Sequence, residues 1–214
     1  MLISKNKNVC SVVLTGGLSS RMGGGVKSLR KFNNRTIIDR IIERIIPQAK
    51  VTILNTNQNI KDFKKYKLTL VEDDLKGSLG PLAGIHAAMK WVNKNEPNIK
   101  WLMSVPSDTP FLPKNLLYKL FFLVNKNKKE IILAKSNERL HPAIGLWKTN
   151  LYDDLEKNLQ KGIRKIMMWV EYHSFDICNF EQDLFDPFFN VNFPKDLVVA
   201  KEIEDKYILN FKKT

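Results

Sequence analysis

Between positions 12 and 32 the chain reads VVLTGGLSSRMGGGVKSLRKF. An apolar run stops at Gly16 and Gly17, and Arg21, three more glycines and Lys27 follow. Glycine lets the backbone turn sharply and lets other atoms come close to it. Lysine and arginine add positive charge, so the stretch predicts a loop wrapped around phosphate. Two familiar phosphate loops do not fit. G-x-x-x-x-G-K-[ST] fails at Val26, where it needs glycine, and G-x-G-x-x-G read from Gly23 ends on Ser28. Three further points carry polar chemistry: Asn55 in LNTN, Asp73 and Asp74 in VEDDL, and Asp108 in PSDTP. Taken alone, each serves equally well as a turn or cap residue.

The elements that must position these residues follow from periodicity. Apolar, β-rich runs at 9–15, 50–55, 68–72, 100–105 and 130–135 predict buried strands. Isoleucines at 37, 38, 41, 42, 45 and 46 define one face of a helix opening at Thr36, with Asp39, Arg40, Glu43 and Arg44 on the opposite face. Helices started by proline are expected at 80–93 and 112–125. Beyond 135 the pattern loosens into two helical pieces broken near Gly162 and a C-terminal helix starting at Pro194. Alternating strands and helices imply an α/β fold, a mostly parallel sheet with helices on both faces. Ligands of such sheets bind at the carboxyl ends of the strands. The glycine loop, Asn55, Asp73 and Asp108 all follow strand ends, so they fall on one rim. The large side chains Trp91, Trp101, Phe121, Phe122, Met167, Met168 and Trp169 read as core.

Composition narrows the classes. At 214 residues and 43% hydrophobic, the chain can bury the core of a single domain. No apolar run reaches membrane-spanning length, and no secretory signal is visible, so no membrane partner is expected. Cys10 and Cys178 lie far apart without metal-ligand spacing, which suits idle thiols in the cytoplasm. The formal charge of +13 comes from scattered lysines, and no nucleic-acid-binding signature accompanies it. Small phosphorylated ligands would suit that charge, and a Lys- and Asn-rich composition by itself would also account for it.

The glycine stretch resembles the G-G-x(4)-R-M-G-G…K loop of nucleotidyltransferases. More closely, the chain resembles the molybdenum cofactor guanylyltransferases, through LTGGLSSRMGGGVKSL, LNTN, VEDD, GPLAGIHAAM, VPSDTPFLP, RLHPAIGLW, GIRKIMMW and FFNVNFPKDL in that order. The resemblance implies a Rossmann-like nucleotidyltransferase fold that joins GMP from GTP to the phosphate of molybdopterin. Residues 1–135 would form the GTP half, and 136–214 the acceptor half and C-terminal helix. It implies Mg²⁺ held by Asp108, with Arg21 and Lys27 steadying the triphosphate and leaving pyrophosphate. Leu14, Thr15, Gly16 and Gly17 would lie against base and sugar, and Asn55 and Asp73 would contact guanosine. Arg139, His141, Arg164 and Lys165 are candidates for the acceptor. Asn190 and Asn192 suit phosphate or metal as well as a turn before the last helix. No histidine is required as a base, because a phosphate nucleophile is already ionised near neutral pH. A transient partner that receives the finished cofactor is also implied, with no residue assigned to it.

Other readings stay open at this level. One is a transferase that uses CTP on the same pterin, or one that acts on a sugar phosphate. Another is a nucleotide-binding regulator that has lost catalysis, supported by Val26, where the family usually carries Asp. Positive charge on the lysine, not its neighbour, is what phosphates need. Val26→Asp is therefore expected to change turnover by less than about tenfold. A gain of several orders of magnitude in the same assay would assign the missing carboxylate a direct role.

Overall fold

The computed structural model describes residues 5–16, 25–57, 60–75 and 80–209. Gly17 and Arg21 lie outside them. In chain order the strands are β1 (Asn6–Leu14), β2 (Lys31–Phe32), β3 (Arg35–Thr36), β4 (Ala49–Asn55), β5 (Thr69–Val71), β6 (Trp101–Pro106), β7 (Ile131–Ser136), β8 (Arg139–Lys148) and β9 (Phe175–Phe180). The helices are α1 (Ile37–Ile45), α2 (Ile60–Phe63), α3 (Pro81–Asn95), α4 (Leu116–Asn127), α5 (Tyr152–Gln160), α6 (Ile166–Val170) and α7 (Pro194–Ile203).

Seven strands form one sheet in the order β5-β4-β1-β6-β8-β7-β9. The pairs β4–β5, β1–β4, β1–β6 and β7–β9 are parallel, and β8 runs antiparallel to both its neighbours. One core, with the isoleucines of α1, Leu116, Leu117 and Leu120 of α4 and Ala200 of α7, covers one face. A second core, built from α3, α5 and α6, covers the other. Both faces are buried, which explains why the strands read as continuous apolar runs.

The sequence patterns locate most elements and miss four strands. β2 and β3 form a two-residue hairpin whose turn residues, Asn33 and Asn34, both have positive φ (45° and 61°). Asparagine tolerates that geometry, so the turn is encoded even though two-residue strands carry no visible period. β8 contains Pro142, which has no N–H for a ladder, and β7–β8 pairing shifts register there, between Leu133 and Ala134. β9, at the sheet edge, begins half-buried and then alternates exposed Ile177 and Asn179 with buried Cys178 and Phe180, so it gives no apolar run. The helix expected from 112 starts at Leu116, and Pro113 lies before its first turn, accepting from Leu116 N through its carbonyl at 3.1 Å. Phe122 and Met168, expected in the core, are exposed.

α1 begins with a reciprocal cap: Thr36 Oγ1 accepts from Asp39 N at 3.1 Å, and Asp39 Oδ2 accepts from Thr36 N at 2.8 Å. Its periodicity placed Arg40 on the solvent face, but Arg40 is 3% exposed. The guanidinium donates to the carbonyls of Phe32, Arg35 and Thr36, pairs with both carboxylate oxygens of Glu204, and lies 3.6 Å over the Phe32 ring. Five N–H groups thus meet acceptors, which is what makes a buried charge tolerable. The pair pins the end of α7 to the hairpin that follows the glycine loop.

Removing one member of a buried pair leaves the other uncompensated. Glu204→Ala should therefore lower the unfolding free energy by about 3–5 kcal/mol, measured by urea denaturation. A loss below about 1 kcal/mol would mean that Arg40 finds other acceptors without cost.

Candidate functional site

The parallel strands end level with one another. Leu14 pairs with Asn55 on one side and Pro106 on the other, and Asn55 pairs with Val71. β1 therefore brings Leu14, Thr15 and Gly16 to the centre of a rim that also carries the ends of β4, β5 and β6. Strand order reverses around β1, with later strands added to both its sides, and this is where open α/β sheets bind ligands.

Two clusters occupy that rim. In the first, Lys27 Nζ donates to Asp108 Oδ2 and to Asn192 Oδ1, each at 2.6 Å. Lys27 sits at the start of a 3₁₀ turn (Lys27–Leu29), while Asp108 follows β6. Val191 N donates to Asp108 O at 2.9 Å, so the 190–192 segment lies along the Asp108 loop. The loop lysine and Asp108 thus meet in one crevice, each side chain about one-fifth exposed (20% and 19%). Asp108 Oδ1 and Asn190 Oδ1 are buried and have no hydrogen-bond partner among the described residues. Oxygen acceptors left without donors in a crevice are the donor set that hard cations prefer. Val26, beside the lysine, is half-buried against the core.

The second cluster holds Asn55 and Asp73. Asn55 is 3% exposed, and its Nδ2 donates to Asp73 Oδ1 at 2.8 Å and Val71 O at 3.2 Å. Asn57, which the sequence did not single out, donates through Nδ2 to Asp73 Oδ2 at 2.6 Å and accepts from Asp73 N at 2.7 Å. Asp74 instead faces Lys90, Nζ to Oδ2 3.1 Å, which separates the two adjacent carboxylates. Thr15 binds back onto Asn55 O, through N at 2.9 Å and Oγ1 at 2.7 Å, so its own groups support the rim. Leu14 O accepts from Ser107 N at 3.1 Å. Gly16 is exposed and a Cβ there would meet nothing within 4 Å.

Gly84 explains part of the GPLAG stretch. A Cβ at this position would lie 2.3 Å from Asn55 Oδ1 and 2.9 Å from Leu14 Cδ2. The helix α3 therefore packs directly on the two strand-end residues. Gly80 supplies the chain's entry to α3 at φ +71°, a region glycine adopts freely.

The acceptor candidates are less gathered. Arg139 and His141 lie on β8, and His141 Nε2 is 2.9 Å from Ser136 Oγ, which donates to Asp186 Oδ1 at 2.7 Å. Arg164 and Lys165 precede α6, and Arg164 donates to the carbonyls of Leu159 and Ile163. Burial pushes the pKa of His141, and that of the fully buried His86, below the ordinary histidine range. His173 is 3.0 Å from Asp154 Oδ2, on the α5–α6 side. Burial raises the Cys10 thiol to about 12 and Cys178 to about 11, so both stay protonated and unreactive. No described helix is long and apolar enough to cross a membrane.

Comparison with known proteins extends the geometry. Residues 11–174 match the model of the MobA-like NTP transferase domain. A protein of Nitrobacter hamburgensis named molybdenum cofactor guanylyltransferase is 39% identical over 193 residues, covering 90% of this chain and 92% of its own. One of the same name from Rhodopseudomonas palustris is 38% identical, covering 90% and 92%. The crystal structure of molybdopterin-guanine dinucleotide biosynthesis protein A from Archaeoglobus fulgidus superposes with a TM-score of 0.73 at 25% identity, covering 92% of this chain and 99% of that one.

Gly84→Ala places a methyl group where Asn55 already stands. It should cost about 1–3 kcal/mol in thermal or urea unfolding and weaken nucleotide binding. Unchanged stability together with unchanged binding would show that α3 does not hold the rim.

Proposed function

Because the chain belongs to the MobA-like NTP transferase family, we propose that it transfers GMP from GTP to the terminal phosphate of molybdopterin, the reaction of a molybdenum cofactor guanylyltransferase. The single observation that carries the reading is the meeting of Lys27 and Asp108 in one crevice at the strand ends.

In that reaction a phosphate oxygen of the acceptor attacks the α-phosphorus of GTP. The bond from that phosphorus to the β-phosphate bridge breaks, and pyrophosphate leaves. Two anions must approach each other, so the protein's task is positioning and positive charge. Lys27, placed on the rim by the 3₁₀ turn, exchanges its carboxylate and amide partners for phosphate oxygens. Arg21, on the same loop, adds a second cation. Leu14, Thr15, Gly16 and Gly17 line the base and sugar. Asp108 Oδ1 and Asn190 Oδ1 are the acceptors that fit a divalent cation, and Asp108 is the ligand we assign to Mg²⁺. When bound, Mg²⁺ neutralises charge on the phosphate oxygens. Asp73 offers a carboxylate to the N1–H and N2–H donors of guanine, which favours GTP over CTP, while Asn55, buried beneath it, holds it.

Residues 1–135 serve the nucleotide in this reading and 136–214 the acceptor, with Asn192 reaching across to the lysine. Arg139, Arg164 and Lys165 are the cations available to the acceptor phosphate, and His141 is a further candidate as a hydrogen-bonding group. Buried protonated thiols suit the cytoplasm. A protein that takes over the finished cofactor would complete the scheme.

The test is pyrophosphate release from molybdopterin with GTP and CTP in parallel. GTP should be the substrate, and Asp108→Asn should lower metal-dependent turnover by at least about a thousandfold while the melting temperature holds. Retained turnover in the Asn variant, or equal use of CTP, would overturn the assignment.

A further inference from the structure

We infer that Asn57 is a positioning residue that sets guanine selectivity through Asp73. The inference rests on the reading of Asp73 as the group that meets the guanine edge. Asn57 and Asp73 form a closed ring. Asn57 Oδ1 accepts from Asp73 N at 2.7 Å, and Asn57 Nδ2 donates to Asp73 Oδ2 at 2.6 Å. The backbone N–H fixes which amide atom faces which partner, since a flipped amide would set two donors against each other. On the other side, Asn55 Nδ2 holds Asp73 Oδ1 at 2.8 Å. Each carboxylate oxygen is therefore engaged by one amide, and the plane of the carboxylate is set from both ends.

An ionised carboxylate oxygen accepts more than one hydrogen bond. With one amide on each oxygen, Asp73 keeps an acceptor site on each, side by side. Guanine presents two parallel donors, N1–H and the 2-amino group, and paired donors recognise a fixed carboxylate through both bonds together. Hypoxanthine retains the N1–H alone. Adenine offers an acceptor at N1. Selectivity thus depends on the carboxylate's orientation as well as its charge, because a freely rotating group meets one donor as readily as two. Asn55 is buried, and its Nδ2 is committed to Val71 O and Asp73 Oδ1. Asn57 is exposed on the loop after β4, where Thr56 N continues the ladder to Val71 O at 3.0 Å. It supplies the second of the two restraints, and its exposure lets it be changed without disturbing the core.

The experiment compares GTP and ITP binding by calorimetry, with Mg²⁺ present, for the wild type, Asn57→Ala, Asn57→Asp and Asp73→Ala. Asn57→Ala removes both bonds. Asn57→Asp keeps an acceptor for Asp73 N but loses the donor and adds a like charge. In Asn57→Ala the GTP dissociation constant should rise about tenfold and that of ITP less than about threefold, so the preference for GTP contracts. Asn57→Asp should weaken GTP further still. In assays, KM for GTP should follow the dissociation constant and kcat should fall less than about twofold. If Asn57→Ala weakens GTP and ITP equally, or neither, Asn57 merely ties the loop and the inference is wrong. If Asp73→Ala leaves GTP binding unchanged, the guanine reading of Asp73 fails, and this inference fails with it. A weakened GTP in Asp73→Ala with an unaltered Asn57→Ala leaves that reading standing and rejects the role of Asn57.

Discussion

One ammonium group ties the functional rim together. Lys27 Nζ binds Asp108, 81 residues away, and Asn192, 165 residues away. A partly buried lysine needs acceptors, and a partly buried carboxylate needs a donor or a cation. Each meets the need of the other. The same two bonds fix the end of the glycine loop, the loop after β6 and the segment entering α7 in one place. The three segments are thereby joined through a single charge. The crevice is suited to anions because the charge sits on a flexible stem that can turn to phosphate.

The scaffold makes this meeting possible. Parallel pairing sets the ends of β5, β4, β1 and β6 level, so groups far apart in the chain emerge side by side. Antiparallel β8 then extends the sheet and returns the chain toward β7 and β9. From β9 the chain crosses back to Asp108 before α7 begins. At the far end of α7, Arg40 and Glu204 hold the helix to the hairpin beside the glycine loop. The C-terminal segment is thus secured at both ends, near the lysine and near the hairpin. Gly84 does the equivalent for the Asn55–Asp73 side of the rim, letting α3 lie directly on Asn55 and Leu14.

The ionisable groups away from the rim are quiet. Burial lowers the pKa of His86 and His141 and raises that of both thiols. Phosphoryl-type transfer asks little of such groups, since the attacking oxygen is already ionised. The formal charge of +13 acts as a general attraction for anionic substrates and says little about where they bind.

Much of this was legible along the chain. Apolar runs and isoleucine pairs located five strands of the sheet and α1. Asn55, Asp73 and Asp108 stood at or just after strand ends, where the structure also has them. Local pattern suffices there because period and turn chemistry are properties of neighbouring residues. It failed where distant partners decide. Arg40 reads as a solvent charge on its own helix, yet Glu204 and three hairpin carbonyls bury it. β8 hides behind Pro142, which a register shift accommodates. Asn192 suits phosphate, metal or a turn in the sequence, and only the fold brings Lys27 to it. Asn57 and Gly84 carry no pattern, since their meaning is contact with Asp73 and Asn55. The sequence by itself determined five of the strands, the isoleucine helix and the polar residues at the strand ends. The tertiary structure alone decided which of them share a hydrogen bond, because strand order, and with it every contact across the rim, depends on pairings between segments many residues apart.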